Sequence, residues 1–225
     1  MNPIPAAGIP GLRCPRSPFA SLEEIRLEDS QGWPRPAPLY MADGALPPPE
    51  LATSVRCFWN DAYLFSIFCC AYRNLKIISD LPESPADRRT PLLWERSDVV
   101  EVFIGAGARD TGRYCEIQVA PDGRWMDMRI ERRDDGVHQD PGWASGIRCT
   151  SFIDASVGEW RSALAVPWKS LDSRGAGTGA WDCNFYRASG STHGDELLAW
   201  APTGYGNQCF HRPEKFGRLE LLIGT

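Results

Sequence analysis

The chain has 225 residues, of which 43% are apolar and 24% charged, a balance that excludes wholesale disorder. Lys plus Arg number 24 and Asp plus Glu 29, so the net charge of −5 argues against a basic face for nucleic acid. No apolar run reaches the ~18 residues of a membrane span, so no membrane partner is expected either. The 19 prolines and 21 glycines predict short elements joined by turns, and the nine tryptophans predict aromatic surface as well as core.

In chain order, residues 1–28 predict an extended arm, or a strap lying on the domain, with a short helix over 21–26. The opening MNPIPAAGIPG lacks the basic region and continuous apolar stretch of a secretory signal. The expected compartment is therefore cytoplasmic as the chain stands, and extracytoplasmic if its beginning is incomplete. Residues 29–225 show no shift of composition and predict one domain. Segments 54–59 and 63–72 flank Asn60-Asp61-Ala62, a hairpin signature. Segments 98–104 and 113–119 predict a second hairpin, and Pro121-Asp122-Gly123 turns the chain into a strand over 124–130. Further strands are expected at 147–153, 160–166, 181–187, 197–200 and 217–222, with one helical turn at 167–171. Many short strands with turn signals between them predict an all-β fold, a two-sheet antiparallel sandwich with little helix. The 8 cysteines include no C-x-x-C pair, which excludes a zinc knuckle, and several sit in apolar strands, so free buried thiols are expected.

Residues two apart on a strand share a face. In segment 98–104, Val100, Val102 and Ile104 point one way, Glu101 and Phe103 the other. In 113–119, Cys115, Ile117 and Val119 point inward and Tyr114, Glu116 and Gln118 outward. In 124–130 the apolar residues Met126, Met128 and Ile130 are assigned inward, which leaves Trp125, Asp127 and Arg129 outward. In 181–187, Asp182, Asn184 and Tyr186 share one face. One sheet face thus gathers acids, amides, Arg and aromatics. It fits a solvated face with cross-strand ion pairs. It equally fits a sugar platform, since a pyranose stacks its C–H face on indole and presents its hydroxyls to carboxylates, amides and guanidinium.

Leu93-Trp94-Glu-Arg-Ser-Asp98-Val-Val-Glu101-Val-Phe-Ile104 resembles the family 9 carbohydrate-binding modules and the wider DOMON-like sandwiches. Five further segments, running from about residue 30 to 222, resemble that family in order: Phe58-Trp59-Asn-Asp-Ala-Tyr63-Leu64, Tyr114-Cys-Glu116-Ile-Gln-Val119-Ala-Pro121-Asp-Gly123, Trp160 to Leu171, Trp181-Asp-Cys-Asn184-Phe-Tyr-Arg187, and Ala199-Trp200-Ala-Pro202 with His211-Arg-Pro213-Glu-Lys-Phe216-Gly217. The resemblance implies an immunoglobulin-like sandwich that binds oligosaccharide or polysaccharide without cleaving it, in service of carbohydrate catabolism. It implies no cofactor, although some relatives bind calcium. It places Trp94 as a stacking platform and Glu101 and Asn184 as polar sugar ligands. The chain departs from the family at Arg187, which stands where a second platform tryptophan would follow the asparagine; an arginine still stacks and donates a fork of hydrogen bonds.

The expected site is Trp94, Glu101, Glu116, Arg129, Asn184 and Arg187. Each residue also has a structural reading: Trp94 plugging one end of the sandwich, Glu101 or Glu116 paired with Arg129 or Arg187, Asn184 satisfying backbone at a bulge, His211 packing a loop. His138 and His193 are expected in solvated loops. Three other functions are weighed against a glycan binder. Glu101 and Glu116 suit the paired carboxylates of a glycoside-active enzyme, but a flat open sheet face gives little desolvation to raise one of them. A haem domain would use Met126 or Met128, with no histidine on a neighbouring strand. The last is an orphan structural or interaction sandwich.

Overall fold

A computed structural model describes residues 9–29, 33–80, 82, 84, 88–172, 175–176, 181–189, 196–204 and 209–223. His193 lies outside them. Fourteen strands lie within the described residues: β1 (Gly11–Cys14), β2 (Ala37–Pro38), β3 (Tyr40–Met41), β4 (Thr53–Trp59), β5 (Tyr63–Ala71), β6 (Val99–Ala106), β7 (Arg113–Val119), β8 (Trp125–Arg133), β9 (Gly136–Asp140), β10 (Arg148–Asp154), β11 (Glu159–Pro167), β12 (Trp181–Ala188), β13 (Leu197–Ala199) and β14 (Gly217–Leu221). Helix among them is confined to short turns, including α1 (Leu93–Arg96), α2 (Ala108–Thr111) and α3 (Trp168–Leu171). None is long and apolar enough to cross a membrane.

The strands form two sheets. The larger runs β1-β14-β12-β6-β7-β8-β9, with β13 and β3 joined beside β12, and the smaller runs β10-β11-β5-β4-β2. All pairs are antiparallel except β1 with β14. The fold is the expected all-β sandwich. Local chemistry sets the hairpins. Asn60 Oδ1 accepts from the backbone N–H groups of Ala62 and Tyr63, closing the β4–β5 turn. Asp122 Oδ1 accepts from the Arg124 N–H, and Gly123 takes the φ of 81° that the β7–β8 turn needs. Four short elements escaped the sequence pattern: β1, β2, β3 and β9.

The main core lies between the sheets. Val100, Val102, Ile104, Ile117 and Phe185 from the large sheet meet Leu64, Phe68, Trp160 and Leu164 from the small one. Two further apolar clusters cover the outer faces. Leu22, Ile25 and Leu27 lie on Phe58, Phe65 and Ile67 of the small sheet, so the chain's early segment is a strap there. On the large sheet, Phe103, Tyr114, Tyr186, Met126, Met128 and Ile130 pack beneath Leu93 and Phe216, with Phe210 against them. All eight cysteines are free, and burial pushes the Cys57 and Cys70 thiols up to about 12.

The β1–β14 clasp leaves no room at Gly217. A Cβ there would stand 2.3 Å from Trp200 Cζ3 and 2.7 Å from the Pro10 carbonyl oxygen. Gly217→Ala should therefore destabilise the fold by about 1–3 kcal/mol. A thermal melt should show a fall of several degrees against wild type; an unchanged melt would show that the edge clasp opens without cost.

Candidate functional site

The register of four strands builds the outer face of the large sheet. Glu101 on β6 stands opposite Tyr186 on β12 and Gln118 on β7. Phe103 stands between Asn184 and Glu116. Beyond β7, Gln118 faces Met126, Glu116 faces Met128 and Tyr114 faces Ile130. Directly opposed residues share a face, so Met126, Met128 and Ile130 lie with the acids. The expectation that Trp125, Asp127 and Arg129 join Glu116 on this face is thereby corrected. Asp127 is fully buried on the other side, accepting from Arg89 Nε at 2.8 Å and the Ser145 N–H at 2.5 Å. The apolar-in rule failed on β8 because the outer face is itself covered by an apolar layer.

That layer comes from residues 209–216 and α1. Phe210 stacks on Tyr186 with centroids 4.0 Å apart, and Phe216 meets the ring edges of Phe103 and Tyr114. His211 lies over Phe103, its Nδ1 2.8 Å from the Tyr114 hydroxyl. Leu93 anchors α1 in this cluster, and the next residue, Trp94, stays 48% exposed. Leu92 enters the turn with a left-handed φ of 51°, a strained conformation for a leucine that turns the chain into α1. Between these walls lies a cleft of about 370 Å³, lined by Trp94, Glu101, Phe103, Glu116, Gln118 and His211, with Gln139, Ala188, Leu197, Cys209 and Phe210 completing it.

Of the expected site, Trp94, Glu101 and Glu116 converge on the cleft. Asn184 shares their face but is used up beneath it. Its Nδ2 donates to the Tyr186 hydroxyl and the Ala201 carbonyl, and its Oδ1 accepts from the Phe185 and Ala201 N–H groups. Those four bonds exhaust an amide's capacity. Arg187 lies between the sheets, where its Nη1 donates to Ala71 O at 2.7 Å, Thr53 Oγ1 at 3.0 Å and Leu51 O at 3.3 Å. Arg129 sits opposite Cys115, on the other face, with its guanidinium 5.2 Å from the Trp143 ring centre. Neither arginine therefore lines the cleft or pairs with the acids. Residues not anticipated in the site include Gln118, Phe103 and His211. Strand parity already aligned the first two with Glu101 and Glu116.

The polar floor is tightly buried. Glu101 and Glu116 are each 3% exposed and Gln118 is 1% exposed. Gln118 Nε2 donates to Glu116 Oε1 at 2.7 Å. Glu116 Oε2 and Gln118 Oε1 have no hydrogen-bond partner among the described residues. His211 Nε2 is 4.0 Å from Glu116 Oε2, beyond hydrogen-bond reach. Burial, then the neighbouring Glu116 charge, hold the Glu101 carboxyl well above the usual range. Burial lifts Glu116 to about 7 against the opposing pull of the Gln118 hydrogen bond. Burial, helped by the Arg132 charge, lowers His211 to about 4 and keeps it neutral. Among the described residues no three His, Cys, Asp or Glu side chains gather where one metal ion could sit.

No protein-family model matches the chain. An "Extracellular protein" of Arthroderma benhamiae is 26% identical over 128 residues, or 52% of this chain, and the chain spans 57% of the length of that curated relative. Among solved structures, a protein of Bacteroides uniformis provisionally named carbohydrate-binding aligns with a TM-score of 0.72 at 16% identity, covering 96% of this chain and 100% of that one. A family 9 carbohydrate-binding module of Caldicellulosiruptor kristjanssonii in complex with cellotriose aligns at 0.59 and 9% identity over 94% and 93% of the two chains. A family 9 module from the same organism in complex with glucose aligns at 0.53 and 8% over 96% and 97%. The chain has the fold of the family 9 carbohydrate-binding modules.

The buried pair makes stability depend on pH. A carboxyl raised in the folded state contributes stability that is complete below the ordinary 4.5 and lost as pH climbs through about 7 for Glu116. His211 works in the opposite sense: its contribution is complete above 6.5 and lost as pH falls through about 4. The two effects oppose one another at mildly acid pH, and above 6.5 only the carboxyl effect remains. The melting temperature should therefore fall on going from about pH 6.5 to 7.5. Glu116→Gln should raise it at neutral pH by up to about 3 kcal/mol of stability, as the shift is worth ~1.4 kcal/mol per unit. Thermal melts across that range check this; a variant less stable than wild type at neutral pH would contradict it.

Proposed function

We propose that the protein binds carbohydrate, without cleaving it, in the cleft on the outer face of its large sheet, in the service of carbohydrate use. The observation that carries this is the pairing of a half-exposed tryptophan with unpartnered, buried acceptors. Trp94 stands at the wall, while Glu116 Oε2 and Gln118 Oε1 lie in the floor without partners among the described residues. A buried acceptor left unmade costs about 1–3 kcal/mol, so a ligand that supplies the missing donors recovers that cost on binding. Sugar hydroxyls supply them, and a pyranose ring offers its C–H face to the indole. The fold likeness to modules solved with cellotriose and glucose supports the same reading.

One observation favours the glycoside-active reading. The face is covered, so the desolvation that an open sheet would lack is present, and both carboxyls are raised. Their arrangement favours binding instead. Glu101 and Glu116 rise from one floor, diagonal to each other on adjacent strands, whereas hydrolysis needs carboxyls flanking the scissile bond.

Calorimetric titration with a panel of mono- and disaccharides tests the proposal. Trp94→Ala should cut affinity at least about tenfold, ~1.4 kcal/mol, with an unchanged melt, because the side chain contributes contact area rather than core packing. Glu101→Gln should weaken binding by about 1–3 kcal/mol. Wild type that binds no sugar, alongside variants that melt several degrees lower, would overturn the proposal. Release of reducing sugar by wild type, abolished in Glu101→Gln, would establish the enzyme reading in its place.

A further inference from the structure

We propose that the cleft selects sugars bearing a free, protonated amine: an amino sugar, or an oligosaccharide built from one. This rests on the sugar-binding reading above and names the class of sugar. The first ground is the sign of the polar groups. Among the described residues, neither lysine nor arginine lines the cleft. Two carboxyl groups lie in its floor, and the two arginines expected beside them lie elsewhere, Arg187 between the sheets and Arg129 against Trp143. His211, which could have supplied a cation, is kept neutral by burial.

The second ground is the count of donors and acceptors. Gln118 Nε2 is spent on Glu116 Oε1, whereas Glu116 Oε2 and Gln118 Oε1 are unpartnered among the described residues, each on a side chain at least nine-tenths buried. The floor is thus rich in acceptors. A sugar hydroxyl brings one donor and two lone pairs; once the carboxyls ionise the floor offers those lone pairs no donor, and the rest of the lining supplies Gln139 and the Trp94 indole. An ammonium group brings three donors and no lone pair. It also brings the positive charge that two buried carboxylates lack, and hydrogen bonds between ionised partners are the stronger kind.

The third ground is the apolar wall. Trp94, Phe103 and Phe210 line the same cleft. Aromatic faces attract a cation and stack on the C–H face of a ring, so one wall serves both halves of an amino sugar. A uronic acid or a sulfated sugar would find no cation among the described lining residues and would gain no ion pair.

Ammonium binding requires the carboxyls to ionise, so it releases protons. The ionisable groups facing the pair are Tyr114 of β7, Tyr186 of β12, and Cys209 and His211 of the covering segment. Burial raises the two phenols and the thiol and lowers His211, so near neutrality the released protons come from Glu101 and Glu116. The two carboxyls share this titration as a coupled pair.

The test is isothermal titration of the full chain at about pH 7, where amine and carboxylate coexist, with four probes. These are the β-1,4-linked glucosamine disaccharide, its N-acetylated form, cellobiose, and n-butylamine. The deacetylated disaccharide should bind at least tenfold tighter than cellobiose or the acetylated form. Its affinity should fall with added salt, and its binding heat in two buffers of different ionisation enthalpy should report net proton release. Glu116→Gln should shrink the preference towards unity, weakening the deacetylated disaccharide far more than cellobiose, with the folded melt retained. Glu101→Gln serves in its place if that variant does not fold. Cellobiose binding as tightly as the deacetylated disaccharide would overturn the amine proposal and leave the sugar reading standing. Butylamine binding as tightly as the amino disaccharide, with cellobiose silent, would overturn both, as would silence from all four probes. A preference that survives in both variants would overturn the assignment to the carboxyl pair.

Discussion

The central strands of the large sheet are excluded from water on both faces, and the site depends on that constraint. An antiparallel sheet ordinarily leaves one face wet, where acids and amides are solvated at little cost. Here β6, β7 and β12 carry one apolar set toward the small sheet and a second set, interleaved with acids, toward the covering segment 209–216. Glu101, Glu116 and Gln118 are buried not because the chain lacks a polar surface to put them on but because Phe210, His211 and Phe216 close over them. Every electrical property of the cleft follows from this lid of aromatic rings.

Burying two carboxyls without a cation opposes folding, and among the described residues no lysine or arginine lines the cleft to offset it. The guanidinium groups that might have neutralised the acids serve the scaffold. Arg187 ties strands of the two sheets together through Ala71, Thr53 and Leu51, and Arg89 gathers Asp127 with the Pro141 and Trp143 carbonyls. Stability is drawn instead from three separate apolar clusters stacked through the sandwich. A floor left electrically incomplete beneath a well-packed frame is the feature on which the proposed sugar site rests.

Period-2 alternation and turn chemistry made most of the sandwich legible. Asn60-Asp61-Ala62 and Pro121-Asp122-Gly123 marked their hairpins, and parity sorted Glu101 from Val100 and Glu116 from Ile117 correctly. What was not legible has one physical origin. A hydrophobic pattern identifies buried residues but does not say which of two buried faces they occupy. Met126, Met128 and Ile130 looked like inter-sheet core, and only the register against Gln118, Glu116 and Tyr114 shows them on the outer side. Arg129 and Asp127 were misplaced by the same step. Arg187 carried a parity warning, since it alternates with Asn184, and the structure puts it on the opposite face. The short strands β1, β3 and β9 lacked enough residues to show any period, and the covering role of His211 arises from a contact across the fold that local pattern does not encode.

The parallel clasp of β1 on β14 bears on how the molecule is made. Gly11 pairs with Arg218 and Cys14 with Leu221, about 200 residues away along the chain. Closing so long a loop is entropically expensive and slow, and nothing local nucleates it. During synthesis β1 stays without its β14 partner until the strands between them have been made. The segment 209–216 is made after β6, β7 and β8, so Glu101, Glu116 and Gln118 lack their aromatic cover until it arrives.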